Sequence, residues 1–459
     1  MKTRLFGVIA SILMVAGILF PLSTPADASH SGPIPGTHPM IFVHGGAGSG
    51  AQFESQAMRF ESNGYPVDYI AVLEYDSTFS INTVADVWAK LDQTVATLLE
   101  KTGADQVDIL GHSLGTTVMH GYLAFPDRAA KVAHYVNIDG RTALAPPGGV
   151  PTLAIWAGRG TPGREIVGAT NVTIPNQTHV QSATSAESFV EMYKFFTGDE
   201  PNTMDIVPEF PFFIKLAGRA VIFPQNTGVQ DATLEVWAVR RDTGERIGRR
   251  PAAVLPVSPD GSWGPVKAIA GLHYEFVIVR EGIFAHHFYY EPFLRSDYLI
   301  RLNTGEPGVG VGAQMENSDH TTNLVITRYK ELWGDQGAEN DSLEINGVNV
   351  INAATSPITK RVIAIFAYDV GLDGVSDVTI PIPFFFAQPF LTGVDLFIPG
   401  ATPPDATVPV VLTPRGGGDT QVLNIRNWAS LDDRITLQFN DYSQDINSWL
   451  EYVLSLRNR

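Results

Sequence analysis

The chain has 459 residues, 44% of them apolar and 17% charged, with 43 glycines and 31 prolines. That composition fits a folded, turn-rich protein of roughly two to four domains and excludes a disordered or collagenous chain. A formal charge of −17 argues against nucleic acid and anionic membrane as electrostatic partners, and the lack of cysteine excludes disulfides, so an exported form must rely on packing or bound ions. Lys2 and Arg4 precede an apolar run from Leu5 to Phe20, and Ala26-Asp27-Ala28 offers a small-x-small cleavage site. Residues 1–28 therefore read as a secretory signal peptide, because the run is short for a membrane anchor, and the mature chain is expected to be extracellular. No later stretch reads as transmembrane.

After a Gly/Pro-rich lead-in from His30 to His38, Met40 to Val43 reads as a short buried strand running into the glycine loop His44-Gly45-Gly46-Ala47-Gly48-Ser49-Gly50. Gln52 to Asn63 reads as a helix stopped by Gly64, and Val67 to Tyr75 as a strand. Between Asn82 and Lys101, Val84, Val87, Trp88, Leu91, Val95, Leu98 and Leu99 recur at helical spacing, with Thr83 and Asp86 as a capping box and Gly103 as the stop. Val107 to Leu110 is a strand that enters Gly111-His112-Ser113-Leu114-Gly115, and a helix-compatible run follows to Phe125, before Pro126. Strands are expected at 132–138, 151–157 and 171–174, then a helix at 185–196. This alternation predicts a parallel sheet covered on both faces, an α/β fold over residues 29–200. From residue 201 helical periodicity nearly vanishes and short strands recur between turns. All-β sandwiches or barrels are expected, one over 201–296 and a second, with lipid binding as its possible role, over 297–459.

A serine between two glycines on a strand-to-helix turn is the signature of a nucleophile elbow. A serine hydroxyl needs a base, and the base an acid, in the order Ser, acid, His for this fold. His179 follows the last strand of the first unit, where the base is expected; His134 falls inside a strand and His120 well along a helix. The loop after 151–157 holds no carboxylate before Glu165, whereas Asp139-Gly140 ends the preceding strand. Asp139 is the expected acid and Glu165 the alternative. Two N–H groups should receive the oxyanion: that of Leu114, after the serine, and one from the glycine loop, assigned to Gly46. No lysine follows these glycines, which argues against a phosphate-binding loop. Such chemistry needs no cofactor. Asp369, Asp373 and Asp377 space three acids along a glycine-containing turn; they are calcium candidates, set against a plain hairpin turn. The apolar run Pro381 to Leu391 reads as core ahead of a lipid-facing patch, and His286-His287-Phe288-Tyr289-Tyr290 as strand core ahead of a metal site.

With these residues in place, the chain resembles the secreted α/β-hydrolase lipases, and among them a hyperthermophilic archaeal lipase with a C-terminal β-rich lipid-binding domain. The resemblance lies in Val43-His44-Gly45-Gly46-Ala47-Gly48-Ser49, Gln52-Phe53-Glu54-Ser55-Gln56, Asn63-Gly64-Tyr65-Pro66, Gly111 to Gly115, Ala129 to His134 and Thr178-His179-Val180-Gln181. It continues in Ile345-Asn346-Gly347-Val348-Asn349-Val350 and Asp373 to Asp377. It implies Ser113 as nucleophile, Asp139 as acid, His179 as base, and Gly46 and Leu114 at the oxyanion. The function implied is that of a carboxylic ester hydrolase, first of all a triacylglycerol lipase acting on lipid at an interface. Esterase action on short or polymeric esters, or surface binding with hydrolysis secondary, are the alternatives. The relatives carry a bulkier side chain in place of Gly46, and a helical lid where this chain has only Asp76 to Ile81. No large lid is therefore expected, and the site should be more open.

Overall fold

The computed structural model describes residues 36–209 and 213–442; the expected signal peptide lies outside them. Six parallel strands form the first sheet: β1 (Met40–Val43), β2 (Ile70–Leu73), β3 (Val107–His112), β4 (Val132–Ile138), β5 (Thr152–Ala157) and β6 (Thr170–Ile174), in the order β2-β1-β3-β4-β5-β6. The central strands β1 and β3 are buried along their whole length; β1 is apolar throughout, whereas β3 buries Asp108 and His112 among its apolar residues. Four helices cover the sheet: α1 (Glu54–Ser62), α2 (Val84–Thr102), α3 (Leu114–Leu123) and α4 (Ala186–Thr197). On one face Val87, Leu91, Val95 and Leu98 of α2 pack with Val118 and Met119 of α3; on the other, Phe53, Phe60, Phe189 and Met192 pack over Phe42 and Leu110. The Thr83/Asp86 capping box forms at the start of α2, and Gly103 closes it in the left-handed conformation. The strand expected from Val67 is shorter, because Pro66 opens a single turn of 3-10 helix at Val67–Tyr69.

Two small sheets pack against a single eight-stranded one beyond residue 212. The large sheet runs through both expected β regions, because Ala285–Tyr290 pairs in parallel with Asp433–Phe439. One half of it encloses a core with β7 (Phe213–Ile222) and its partners, around Leu216, Phe276 and Ile300; the other encloses Leu343, Val410 and Leu437. The division expected at residue 297 needs correction. Asp297–Thr304 pairs with β7, so this strand belongs to the first β unit and not the second. Turn composition marks where strands end but not which strands pair, and the pairing sets the boundary.

The β layers are bolted to the α/β unit by buried polar contacts. Arg301, on the strand 297–304, forms an ion pair with Glu74 just after β2, and the same carboxylate accepts the Gly50 N–H at 2.9 Å. Burial pushes the Glu74 carboxyl up, but the Arg301 charge and hydrogen bond, with the charges of His44 and Arg219, together outweigh it and bring the group down to about 2. The link between β2 and α2 is a closed turn. Asp76 accepts hydrogen bonds from the backbone of Thr78, Ser80 and Ile81 and from the Thr78 and Ser80 hydroxyls. Among the described residues no helix is long and apolar enough to cross a membrane.

Candidate active site

Ser113 sits between β3 and α3 with φ 51° and ψ −118°, a strained conformation for a residue with a side chain. The flanking glycines are required by contact. A Cβ on Gly115 would lie 2.4 Å from the Val43 carbonyl oxygen, and one on Gly111 would lie 3.1 Å from the Gly115 backbone. The turn therefore presses against β1, and the serine, half-buried, stands at the C-terminal end of the sheet.

The structure brings the three residues expected to act together into one hydrogen-bonded chain. His179 Nε2 is 2.9 Å from Ser113 Oγ, and His179 Nδ1 is 2.6 Å from Asp139 Oδ2. A carboxylate accepts only, so Nδ1 carries the proton and Nε2 is left to accept from the serine hydroxyl. Asp139 ends β4, buried, with φ 40°. Its Oδ1 accepts from the Ala157 N–H at 3.1 Å and from Arg164 Nη1 at 2.7 Å. Burial pushes this carboxyl up; the His179 hydrogen bond and charge, the Ala157 N–H and Arg164 together outweigh it, and the net shift is downward. Glu165, the alternative acid, is exposed; its neighbour Arg164 is the residue that reaches inward. His134 bonds Asp108, and His120 lies 3.3 Å from Asn137; neither is part of the chain.

Gly46 is exposed on the loop after β1, and a Cβ built there would meet only Leu114 Cδ2, at 3.9 Å. The two expected oxyanion positions are thus neighbours. Leu114 is the first residue of α3, where a backbone N–H has no helical acceptor.

Five contributors were not anticipated: Arg164, whose bond to Asp139 is given above, and Gln52, His112, Glu331 and Phe390. Gln52 accepts from the Gly45 N–H at 3.4 Å and donates to His112 Nδ1 at 2.8 Å, while His112 Nε2 donates to the His179 carbonyl at 2.9 Å. This relay ties the glycine loop to the His179 loop. Burial, and then the nearby His179, push the His112 imidazole down to about 3, so it stays neutral. Glu331, fully buried on the strand Leu324–Leu332, accepts from the N–H groups of Val180 and Gln181 at 2.6 and 3.0 Å and from the Thr178 hydroxyl. Phe390, with φ 64°, lies nearly parallel to the His179 ring, 11° between planes and 6.2 Å between centroids. Glu331 follows Arg328 and Lys330 on its strand and so reads as an ordinary charged stretch; like Arg164 and Phe390, it carries no signal in local sequence. The run 381–391 divides: Phe385 is fully buried, while Phe384 is 42% exposed. Asp369, Asp373 and Asp377 each accept from a backbone N–H within their own turn, at 3.1, 2.8 and 3.0 Å.

Three family models match parts of the chain. Residues 37–132 match the model for lipase (class 2), residues 213–307 the model for a lipase C-terminal domain, and residues 310–443 a third model described only as a C-terminal domain. Similar solved structures include a metagenome-derived lipolytic enzyme, 15% identical over 36% of this chain and 100% of its own, with a TM-score of 0.28. Lipase B of Aspergillus fumigatus is 16% identical over 39% of this chain and 56% of its own, with a TM-score of 0.30. A gene product of Listeria innocua is 13% identical over 37% of this chain and 100% of its own, with a TM-score of 0.28. The lipase match spans the glycine loop and Ser113, and it ends before Asp139 and His179. The N-terminal unit has the α/β-hydrolase fold, and the protein is an ester hydrolase.

Proposed function

We propose that the protein is a secreted triacylglycerol lipase in which Ser113, His179 and Asp139 form the catalytic triad. The observation that carries this reading is the bonded chain from Ser113 Oγ through both ring nitrogens of His179 to Asp139. Ser113 Oγ attacks the ester carbonyl carbon as His179 Nε2 takes its proton. The carbonyl oxygen becomes an oxyanion, received by the N–H groups of Gly46 and Leu114. The tetrahedral intermediate collapses, the C–O bond breaks, and Nε2–H protonates the departing alcohol. Water, deprotonated by the same nitrogen, then attacks the acyl-enzyme and releases the acid and Ser113. Asp139 holds the imidazole in its tautomer and balances its charge. No cofactor enters these steps; calcium at the Asp369–Asp377 turn would stiffen that turn without touching them.

The preference for long acyl chains rests on the segment that bears Phe390. It exposes Val370, Leu372, Val375, Ile380 and Phe384, by 37, 44, 62, 64 and 42%. Apolar side chains exposed along the segment that leads to Phe390 suit a lipid surface. Export rests on residues 1–28 of the sequence. A second reading, an esterase of short or polymeric esters, is favoured by the closed Asp76 turn, which is too short to hold a lid. Turnover of p-nitrophenyl esters from acetate to oleate separates the two. A lipase gives kcat/KM rising with chain length and falling for long chains alone in Phe384→Ser/Ile380→Ser. A maximum at acetate or butyrate, unchanged in that variant, supports the esterase.

A further inference from the structure

The strands that carry Ser113 and Asp139 at their C-terminal ends carry a second cluster at their other ends. Asp108 is the second residue of β3 and His134 the third of β4, and the two are register partners on one face of the sheet. His38 precedes β1, whose Met40 is the partner of Asp108 on the other side. One ring nitrogen of each histidine and a carboxylate oxygen of Asp108 all lie within 4.8 Å of one another. His134 Nδ1 is 2.8 Å from Asp108 Oδ1, and His38 Nδ1 is 3.7 Å from the same oxygen.

A His134–Asp108 hydrogen bond accounts for only part of this. Asp108 is fully buried, yet its Oδ2 has no hydrogen-bond partner; neither does the buried Nδ1 of His38. The Tyr65 hydroxyl is buried without a partner as well, and it senses the Asp108 charge. Orphaned polar atoms in such a place cost about 1–3 kcal/mol each. They are two donors of the kind a borderline metal ion takes, imidazole nitrogen and carboxylate oxygen.

We propose that His38, Asp108 and His134 bind a divalent transition-metal ion of the zinc class, through both Nδ1 atoms and the Asp108 carboxylate. Two imidazoles and one carboxylate select zinc or its neighbours over calcium and magnesium, which take oxygen ligands. The spacing of the three donor atoms needs only a small opening to surround an ion with bonds near 2 Å. Such an ion uses the orphaned His38 Nδ1 and removes the conflict between a buried carboxylate and its lack of a cation. It also fastens the lead-in at His38 to two central strands of a chain that has no cysteine to do so. Ser113 lies five steps along the chain from Asp108, about 17 Å, so the ion is a clamp and takes no part in ester hydrolysis.

The test is zinc titration of the full chain, stripped with chelator, by calorimetry, with cobalt absorption as a second probe. Wild type is expected to bind one ion per chain and to unfold at a higher temperature when loaded. His38→Gln and His134→Gln should each lose at least tenfold in affinity and lose the thermal shift. His320→Ala, at an exposed histidine elsewhere, should bind as wild type, and ester turnover should match wild type in all three variants. Asp108→Asn is the most direct variant but risks misfolding; His38, one-third exposed, keeps the test open if it does. The proposal is overturned if wild type takes up no zinc, or if His38→Gln and His134→Gln bind it with unchanged affinity and stoichiometry.

Discussion

Arg164 bears on the charge balance of the triad more directly than any other residue outside it. It donates to the Asp139 oxygen that His179 does not use and lies over Trp156, its guanidinium carbon 4.5 Å from the ring centroid. In the proposed mechanism a cation there competes with the imidazolium that forms during each proton transfer. Arg164→Gln should therefore hold that imidazolium more firmly and move the acid limb of the kcat/KM profile to higher pH, with a smaller change at the plateau. A profile that scales down without moving would make Arg164 a packing residue only. Position 46 offers the opposite case. A Cβ there meets nothing closer than 3.9 Å, so Gly46→Ala should fold and turn over within about threefold of wild type, if the backbone N–H is what matters. Ser113, Asp139 and His179 were legible in sequence because a nucleophile elbow, a strand-end acid and a post-strand histidine are each tied to local pattern. Arg164 was not, because its role depends on a loop folding back across a distance that periodicity does not report.

Among the elements, the strand Leu324–Leu332 has an unexpected task. Its Glu331 receives three hydrogen bonds from the loop carrying His179, and Arg415 adds a contact to Gln181 at 3.0 Å. The base is thus positioned partly by the second β unit. Glu331→Gln replaces an acceptor-only carboxylate by an amide that can turn a donor toward the same N–H groups. It should cost about 1–3 kcal/mol in stability and lower kcat more than it raises KM, measured by urea unfolding and steady-state kinetics. Equal loss in an unrelated buried polar variant of that sheet would remove the special role. The α/β order of strands and helices was readable from alternating apolar periods, capping residues and glycine stops. The β part was readable only as strands. Its eight-stranded sheet joins residues 285–290 to 433–439, and no local signal specifies a partner so distant along the chain.

The whole molecule should be acid-sensitive in a defined way. His112 is held near 3 in the fold against about 6.5 when unfolded, so between those values the unfolded chain binds the extra proton. Stability therefore falls as pH drops through that window, by about 2–3 kcal/mol from pH 7 to 4.5 for this group. Glu74, near 2 in the fold against 4.5, adds a second loss as pH falls below 4.5. Urea unfolding at pH 7 and 4.5 should show a smaller difference in His112→Asn than in wild type; equal differences would place the sensitivity elsewhere. Arg301→Met, which strands Glu74 in the interface between the α/β unit and the first β unit, should cost about 3–5 kcal/mol at pH 7.

The proposed reaction depends on Ser113 as the nucleophile that His179 and Asp139 activate. The most direct measurement is to treat the protein with a chromogenic alkyl phosphonate ester, follow the release of one leaving group per chain, and map the adduct by mass spectrometry. The adduct should sit on Ser113, form orders of magnitude more slowly in His179→Ala, and be absent from Ser113→Ala, whose ester turnover should fall by about 10⁴-fold or more. An adduct on another residue, or a Ser113→Ala variant that turns over esters like wild type, would contradict it.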